Sequence, residues 1–400
     1  MGTARNNFLR SSALLMGAMV VVNLLNYGYA LILGRWLGPA EYGGYAAFTS
    51  LFLVLTVLPL TLQQLGARYT AAGGALAYTR AHALKVGTGL GLGLLALSIP
   101  LERLTSLPAA WYAALAVFLP VYALLGAARG EVQGKEQQGR LGLNMVAEHL
   151  SKIVLTFPAL ALFGGSSAAV AATLAGVAVA LWLLRGELRP SGPSVTPESG
   201  YPASVGVNLL AQALILNADL LLAKALLEPH EAGLYAAVAM IGRIVFYGSW
   251  AVGTAVFPMV ARAQSEGRSH WPLLGMALLS VATVSVGFVG VCALAPRWVV
   301  GVLFGGDYLE AAALVAPYAA MTALYALANV IANHFMALGK GQLGWWALGT
   351  GVLQAALMMG WHSSGMELIL VQMIAKGCFL AVGGWAILTH LRERRVYVLR

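Results

Sequence analysis

Twelve stretches of about twenty mainly apolar residues run the length of this chain, and they restrict its fold to one kind of solution. They fall at residues 11–34, 43–65, 82–100, 109–128, 143–163, 166–184, 204–226, 233–257, 272–295, 311–336, 343–361 and 366–389. A helix rises about 1.5 Å per residue, so each stretch is long enough to cross a hydrocarbon layer about 30 Å thick. Barrel strands would be about ten residues long and would alternate polar with apolar positions, which these segments do not. The sequence therefore reads as an all-α polytopic membrane protein. Only 10% of its residues are charged and 60% are hydrophobic, whereas roughly a quarter of residues are charged in soluble domains.

The first stretch follows Arg5 and Arg10, in the manner of a signal peptide. It is too long for a signal-peptide core, carries Asn23 and Asn26, and runs straight into further membrane segments, so it is expected to remain as the first helix. Cys292 and Cys378 both fall in apolar stretches, which implies small buried residues rather than a disulfide framework. The seven histidines are scattered and show no HExxH or other ligand spacing. Gly134-Lys135 and Gly339-Lys340 lack the remainder of a phosphate-cradling Walker loop. No metal, no cofactor and no enzymatic reaction are expected.

A formal charge of +9 raises nucleic acid or anionic lipid as partners, and the placement of the cations decides what it means. With twelve helices, the termini and the even-numbered loops share one side of the membrane. That side receives 17 of the 24 Lys and Arg residues, among them Arg68, Arg80, Arg129, Lys135, Arg140, Arg262 and Arg268. The opposite side receives only Arg35, Arg103, Lys224 and Arg297, while Lys152, Arg243 and Lys376 stay within helices. Such a positive-inside asymmetry predicts cytoplasmic termini and leaves no role for nucleic acid.

Gly186 to Ser204, GELRPSGPSVTPESGYPAS, holds four prolines. It predicts a cytoplasmic linker, 186–203, between an N-terminal six-helix lobe, 1–185, and a C-terminal six-helix lobe, 204–400. A repeated hinge supports the division. LGRWLGPAEYGGYAAF, Leu33 to Phe48, returns as LAKALLEPHEAGLYAAV, Leu222 to Val238. With one inserted residue, Arg35 aligns with Lys224, Pro39 with Pro229, Glu41 with Glu231, Gly43 with Gly233 and Tyr45 with Tyr235. Two weaker echoes follow in the same order: ARYTAAG (67–73) with ARAQSEG (261–267), and Gly134-Lys135 with Gly339-Lys340. An even number of helices per lobe makes the repeats parallel and the two bundles pseudo-symmetric, an architecture of transporters. Within the hinge, Pro suits the first helical turn, Glu suits a helix N-terminus and Gly permits close packing. This describes either a turn and nothing more, or an outer gate.

The hinge LGPAEYGGYA, the later LFGGDYLEAA (Leu303 to Ala312) and the twelve-helix division resemble the polysaccharide flippases, the Wzx-type exporters of O-antigen and exopolysaccharide repeats. Their superfamily also holds the drug and toxin antiporters and the lipid II flippases. The resemblance covers most of the chain, although the second hinge has Leu227-Glu228 where the first has Gly38. It implies a bacterial inner-membrane flippase that moves undecaprenyl-pyrophosphate-linked oligosaccharide from the cytoplasmic to the outer leaflet. The route implied is a cationic cavity between the lobes that opens alternately inward and outward. The implied partners are the lipid-linked oligosaccharide, membrane lipids, a proton or sodium ion and glycan-assembly enzymes.

Charged groups within membrane helices are costly and point to function. Arg243, roughly 15 Å along the eighth helix, is a candidate pyrophosphate ligand, and Asp219 in the seventh a candidate coupling carboxylate; the two are also placed to pair. Lys376 is near the middle of the last helix, in a lobe-peripheral or central role. Lys152 is expected to pair with Glu148 one turn earlier. Arg35 and Lys224 are candidates for an outer phosphate relay or for headgroup contact. Asn23 and Asn26 share one helix face, as do Asn208 and Gln212, and with Asn217 they are candidates for binding sugar hydroxyls or for interhelical hydrogen bonds. Gln63, Gln64, Asn329, Asn333 and His334 are weaker candidates.

Three other functions compete. A cation-coupled drug or metabolite antiporter calls for a carboxylate-centred cavity, whereas the embedded charges here are mostly cations. A major-facilitator transporter would carry a D-R-x-G-R-R cluster after its second helix, where this chain has GARYTAAGG. A membrane glycan polymerase or ligase would be expected to have a large outer loop, and the outer loops here are short.

Overall fold

The computed structural model describes residues 2–74, 77–188, 201–266, 268–338 and 342–398, and nearly all of them are helical. The helices are α1 (Gly2–Leu55), α2 (Val57–Ala71), α3 (Ala77–Ala96), α4 (Ser98–Thr105), α5 (Ala109–Gly134), α6 (Gln138–Phe163) and α7 (Gly165–Leu183). After a short 3-10 turn at Arg185–Leu188 come α8 (Tyr201–Leu226), α9 (Pro229–Gly242), α10 (Ile244–Ser265), α11 (Trp271–Leu294) and α12 (Pro296–Leu303). Then follow α13 (Ala312–Ala337), α14 (Gln342–Gly360) and α15 (Gly365–Val398). Among the described residues, 9 helical segments are long and apolar enough to cross a membrane, and α3 with α4, bent by 60°, makes a tenth. One of the nine, Ala13–Ala71, turns at Gly38 and so supplies two arms; counted with the 19-residue α14, which is not one of the nine, the helices match the twelve apolar stretches of the sequence.

The turn at Gly38 has φ 70° and ψ 171°, a backbone conformation that a Cβ disfavours, and Pro39 then begins the next arm. The second hinge solves the same problem without glycine. Leu227 and Glu228 take two residues for the turn, Glu228 is in ordinary extended backbone (φ −59°, ψ 149°), and Pro229 opens α9. The extra residue of the second hinge thus stands in for the special conformation of the first.

The chain divides into two compact units, Met1–Leu209 and Leu210–Arg400, with the boundary inside α8. The linker expected at 186–203 begins as the Arg185–Leu188 turn; its residues 189–200 lie outside the described ones, as does the Gly339-Lys340 echo. In the first unit α5 packs on α2, α3 and α7, and α6 packs on α1 and α7. In the second, α13 packs on α9, α10, α11 and α15, and α14 packs on α15. The fourth crossing of each half is therefore the hub of its unit.

Glycine explains how closely α5 approaches α2. Gly126, Gly130 and Gly134 recur every four residues and form a stripe on one face of α5. A Cβ on Gly130 would come 2.6 Å from the Gln63 carbonyl oxygen, and one on Gly66 would come 3.2 Å from Gly130 Cα. The backbones themselves are in contact. The same extension of α5 takes Arg129 out of the cytoplasmic loop to which its sequence position assigned it, and places it buried within the helix.

Candidate functional site

Among the described residues, each unit brings one buried carboxylate together with two buried cations, Glu148 with Arg129 and Lys152 in the first and Asp219 with Arg243 and Lys376 in the second; Glu131 and Lys224 are buried as well. In the second unit, Asp219 of α8 is fully buried and both of its oxygens are engaged. Arg243, at the break between α9 and α10, donates from Nη2 to Oδ1 at 2.7 Å. Tyr318 of α13 donates its hydroxyl to Oδ2 at 2.5 Å. The Tyr318 ring stands edge-on to Tyr235 of α9, with centroids 5.7 Å apart. Gln372 of α15 donates to the Tyr235 hydroxyl at 2.6 Å, and its Oε1 accepts from Lys376, one turn on, at 3.3 Å. The other contact of the Lys376 ammonium is the Met321 sulfur at 3.6 Å. Arg243 Nε is buried without a hydrogen-bond partner.

The first unit reaches a similar composition from different helices. Arg129 of α5 donates from Nη2 to Glu148 Oε2 at 2.6 Å and from Nε to Asn144 Oδ1 at 2.8 Å, both on α6. Asn144 in turn donates to the Ala180 carbonyl of α7 at 2.8 Å. The expected Glu148–Lys152 pair is therefore corrected: a guanidinium on the facing helix offers Glu148 a closer, charge-assisted bond than its own helix does. Lys152 turns instead to Asn26 Oδ1 of α1 at 2.6 Å and lies over the Tyr29 ring at 4.8 Å. Tyr29 is fixed by Thr156 at 2.7 Å. Breaking a buried charge pair from one side costs about 3–5 kcal/mol, so both clusters are firm features of their units.

Other candidates are dispersed. Asn23 and Arg35 are exposed, Asn208 and Gln212 are half-buried, and Asn217 donates to the Ala213 carbonyl of its own helix at 3.0 Å. Lys224, expected at headgroup level, is buried. Lys376 is buried in the interior of its unit. Gln63 donates to Gln133 at 2.8 Å, tying α2 to α5, while Gln64 is exposed. Asn329 is buried and Asn333 half-buried on α13. The histidines are less scattered than their spacing implied: His270 and His334 approach at 3.1 Å, and the His390 ring is 6.4 Å from that of His270. Among the described residues no group of His, Cys, Asp or Glu is arranged to hold a metal.

Sequence reasoning missed Arg129, Asn144, Tyr318 and Gln372. For Arg129 a signal existed, because the fourth apolar stretch ends one residue before it and the helix continues to Gly134. For the others, a single polar residue in an apolar run does not reveal what faces it.

The hinge residues also find their function here. Glu41 accepts the backbone N–H of Ser166 at 3.0 Å, and Glu231 that of Gly365 at 2.8 Å. Each therefore caps the sixth crossing of its own unit, where free N–H groups and the helix dipole favour a carboxylate. Tyr45 and Tyr235 reach the same two helices further along, at Thr173 (3.5 Å) and Gln372 (2.6 Å). The repeated motif is a clamp between the first two crossings and the last.

The sequence model of a family described as "Polysaccharide biosynthesis protein" matches residues 8–264. No curated protein matches the sequence. Among solved structures, the chain is similar to an inward-facing multidrug resistance MATE family transporter of the MOP superfamily, with a TM-score of 0.76 at 13% identity, covering 93% of this chain and 96% of that one. It is also similar to the lipid II flippase MurJ in an inward closed conformation, with a TM-score of 0.74 at 13% identity, covering 94% of this chain and 87% of that one. A MOP superfamily transporter from Pyrococcus furiosus aligns with a TM-score of 0.58 at 17% identity, covering 94% and 93%. At these identities the likeness is one of fold: the twelve-helix, two-bundle fold of MOP superfamily transporters.

Proposed function

The chain belongs to the polysaccharide biosynthesis protein family, and from that premise we propose that it is a flippase for an anionic lipid-linked glycan. The substrate is undecaprenyl-pyrophosphate-linked oligosaccharide, carried from the cytoplasmic to the outer leaflet of a bacterial inner membrane by alternating access, with both chain termini cytoplasmic. The supporting observation is that in each of the two clusters a pair of buried cations shares one carboxylate. Arg129 and Lys152 face a single Glu148 in one unit, and Arg243 and Lys376 face a single Asp219 in the other. A buried cation in excess of its carboxylates is costly unless an anion meets it, and a pyrophosphate supplies one. Arg243 retains an unpartnered Nε donor for that purpose. Asn23, Asn26, Asn208, Gln212 and Asn217 offer amides for sugar hydroxyls, and Arg35 and Lys224 are cations at the outer hinges.

The antiporter reading fits less well. A carboxylate that exchanges cations must be able to release its partner, yet Glu148 and Asp219 are each bonded to an arginine, which does not lose its proton.

Reconstitution separates the two readings. Proteoliposomes would be loaded with NBD-labelled undecaprenyl pyrophosphoryl-N-acetylglucosamine, and its exposure to external dithionite followed. Protein-dependent movement supports the flippase. Its absence, together with efflux of a cationic dye from the same vesicles, overturns the flippase in favour of the antiporter.

A further inference from the structure

Sequence position favours Asp219 as a coupling group, but the geometry around it points elsewhere. One Asp219 oxygen accepts from Arg243 at 2.7 Å and the other from Tyr318 at 2.5 Å. Protonating this carboxylate would break a charge-assisted bond and strand a guanidinium that cannot itself release a proton.

Lys376 differs in each respect. It is buried on α15, and its ammonium touches only neutral atoms, Gln372 Oε1 at 3.3 Å and Met321 Sδ at 3.6 Å. Ionic hydrogen bonds of an ammonium to a carboxylate are typically about 2.7–2.9 Å, so the longer separation marks an amine without an ionic partner. The groups on every helix around it are accounted for. From α8 there is Asp219, already satisfied. From the α9–α10 crossing there are Tyr235 and the permanently charged Arg243, and from α13 Tyr318, bonded to Asp219. α14, which also packs on α15, carries no titratable residue. As a neutral amine, Lys376 keeps two N–H donors for Gln372 and leaves no buried acceptor unsatisfied.

We propose that Lys376 is the proton-exchange site of this transporter: its buried ammonium, held by Gln372 and Met321 beside a closed Asp219–Arg243 pair, takes up and gives up the proton that accompanies transport. In the exchange one N–H bond of the ammonium breaks, the nitrogen keeps the electron pair, and the proton passes to water; uptake is the reverse. The second-unit cluster thereby alternates between a charge of zero and one positive charge. The ligand is a proton, and the sodium alternative falls away, since the carboxylate a sodium ion would need is held by arginine. This inference rests on the transport reading above but not on the identity of the glycan.

The test uses full-length protein in vesicles containing the pH dye pyranine and clamped with valinomycin and potassium. Proton movement and dithionite-accessible NBD probe are followed together under an imposed pH gradient. Wild-type protein should move protons, with a probe-flipping rate that varies with pH. Lys376→Arg, which keeps the charge but cannot exchange it, should lose proton movement to the level of protein-free vesicles, and any flipping that remains should not vary with pH. Lys376→His should retain proton movement with its pH profile moved toward acid, following the lower intrinsic basicity of imidazole. A merely structural lysine would give no such shift. Proton movement that survives in Lys376→Arg, or a Lys376→His profile unchanged from wild type, would overturn the proposal. Wild-type protein that moves protons through Lys376 but not the probe would contradict the glycan assignment alone, and protein that moves neither would contradict both.

Discussion

The carboxylate of Glu231 accepts the backbone N–H of Gly365 at 2.8 Å, joining the second hinge to the first residue of α15. Glu41 does the same for α7 through Ser166. One function at two places explains why the hinge is written twice, with Pro, Glu and Tyr in matching positions. Removal of a side chain that caps a helix costs about 0.5–2 kcal/mol. Glu231→Ala should therefore destabilise the purified protein by about 1 kcal/mol in thermal unfolding, whereas Glu231→Gln, which keeps an acceptor oxygen, should lose less. The more exposed Glu41 should show the smaller effect of the two. Equal stability of wild type and Glu231→Ala would remove the clamp.

The hinge also shows what the sequence could and could not reveal. Apolar length located the twelve crossings, because burial in lipid demands some twenty residues wherever a helix spans. Repetition identified the hinge, and residue type gave Glu a helix N-terminus. Which helix it caps depends on a contact across more than a hundred residues, which local pattern does not encode. The charge clusters divide in the same way. Arg243 and Asp219 stood out as embedded charges on neighbouring crossings. Glu148, however, is one turn from Lys152 on α6, which points to a pair within the helix, yet it is bound by Arg129 from α5. Partner choice in a bundle is made between helices, and one helix's spacing cannot settle it.

The Arg129–Glu148 pair yields a second prediction. Glu148→Leu alone should cost about 3–5 kcal/mol, because it leaves a guanidinium buried without its carboxylate. Replacing both, as Arg129→Met with Glu148→Leu, should recover much of that loss. Thermal unfolding of the two variants checks this, and a double variant no more stable than Glu148→Leu would count against the pair as the source of the effect.

Contact between α2 and α5 depends on the Gly126, Gly130 and Gly134 stripe. Gly130→Leu would force apart two backbones that touch at Gly66 and Gln63. Overpacking of this kind typically costs about 1–3 kcal/mol, and more where backbone must move. Folded yield by size-exclusion chromatography should fall sharply for Gly130→Leu, while Gly89→Leu on α3, whose Cβ would meet open space, should leave it near wild type.

A pH dependence follows from the charges outside the membrane. For Glu187, burial pushes the carboxyl up, but hydrogen bonds from Lys135 at 2.9 Å and Arg140 at 2.5 Å outweigh it and hold the group below its usual value. For Lys135, the bond to Glu131 at 2.9 Å leads, burial opposes, Glu187 adds, and the ammonium is raised above its usual value. The Glu187 contribution is thus present above the ordinary carboxylate range and lost as pH falls through its lowered folded value. That of Lys135 is present below the ordinary lysine range and lost as pH rises through its raised one. The stability difference between wild type and Glu187→Gln should be level from about pH 5 to about pH 10 and shrink outside it. Because Lys135 and Arg140 are substantially exposed, the difference should stay under about 1 kcal/mol and fall with added salt. A difference that grows on acidification would reverse the assignment.

Arg243→Ala should abolish probe flipping while the protein still inserts in the membrane, and wild-type flipping in that variant would take Arg243 out of the substrate path.

The central claim is that the substrate is recognised by its negative charge. Its most direct test is the initial rate of flipping, in the same proteoliposomes, of NBD-labelled undecaprenyl pyrophosphoryl-N-acetylglucosamine and of the matching glycoside joined to undecaprenol without phosphate. The buried cations Arg129, Lys152, Arg243 and Lys376 predict protein-dependent flipping of the pyrophosphate-linked lipid and only background movement of the neutral one. Equal protein-dependent rates for the two lipids, or no protein-dependent movement of the charged one, would contradict the account.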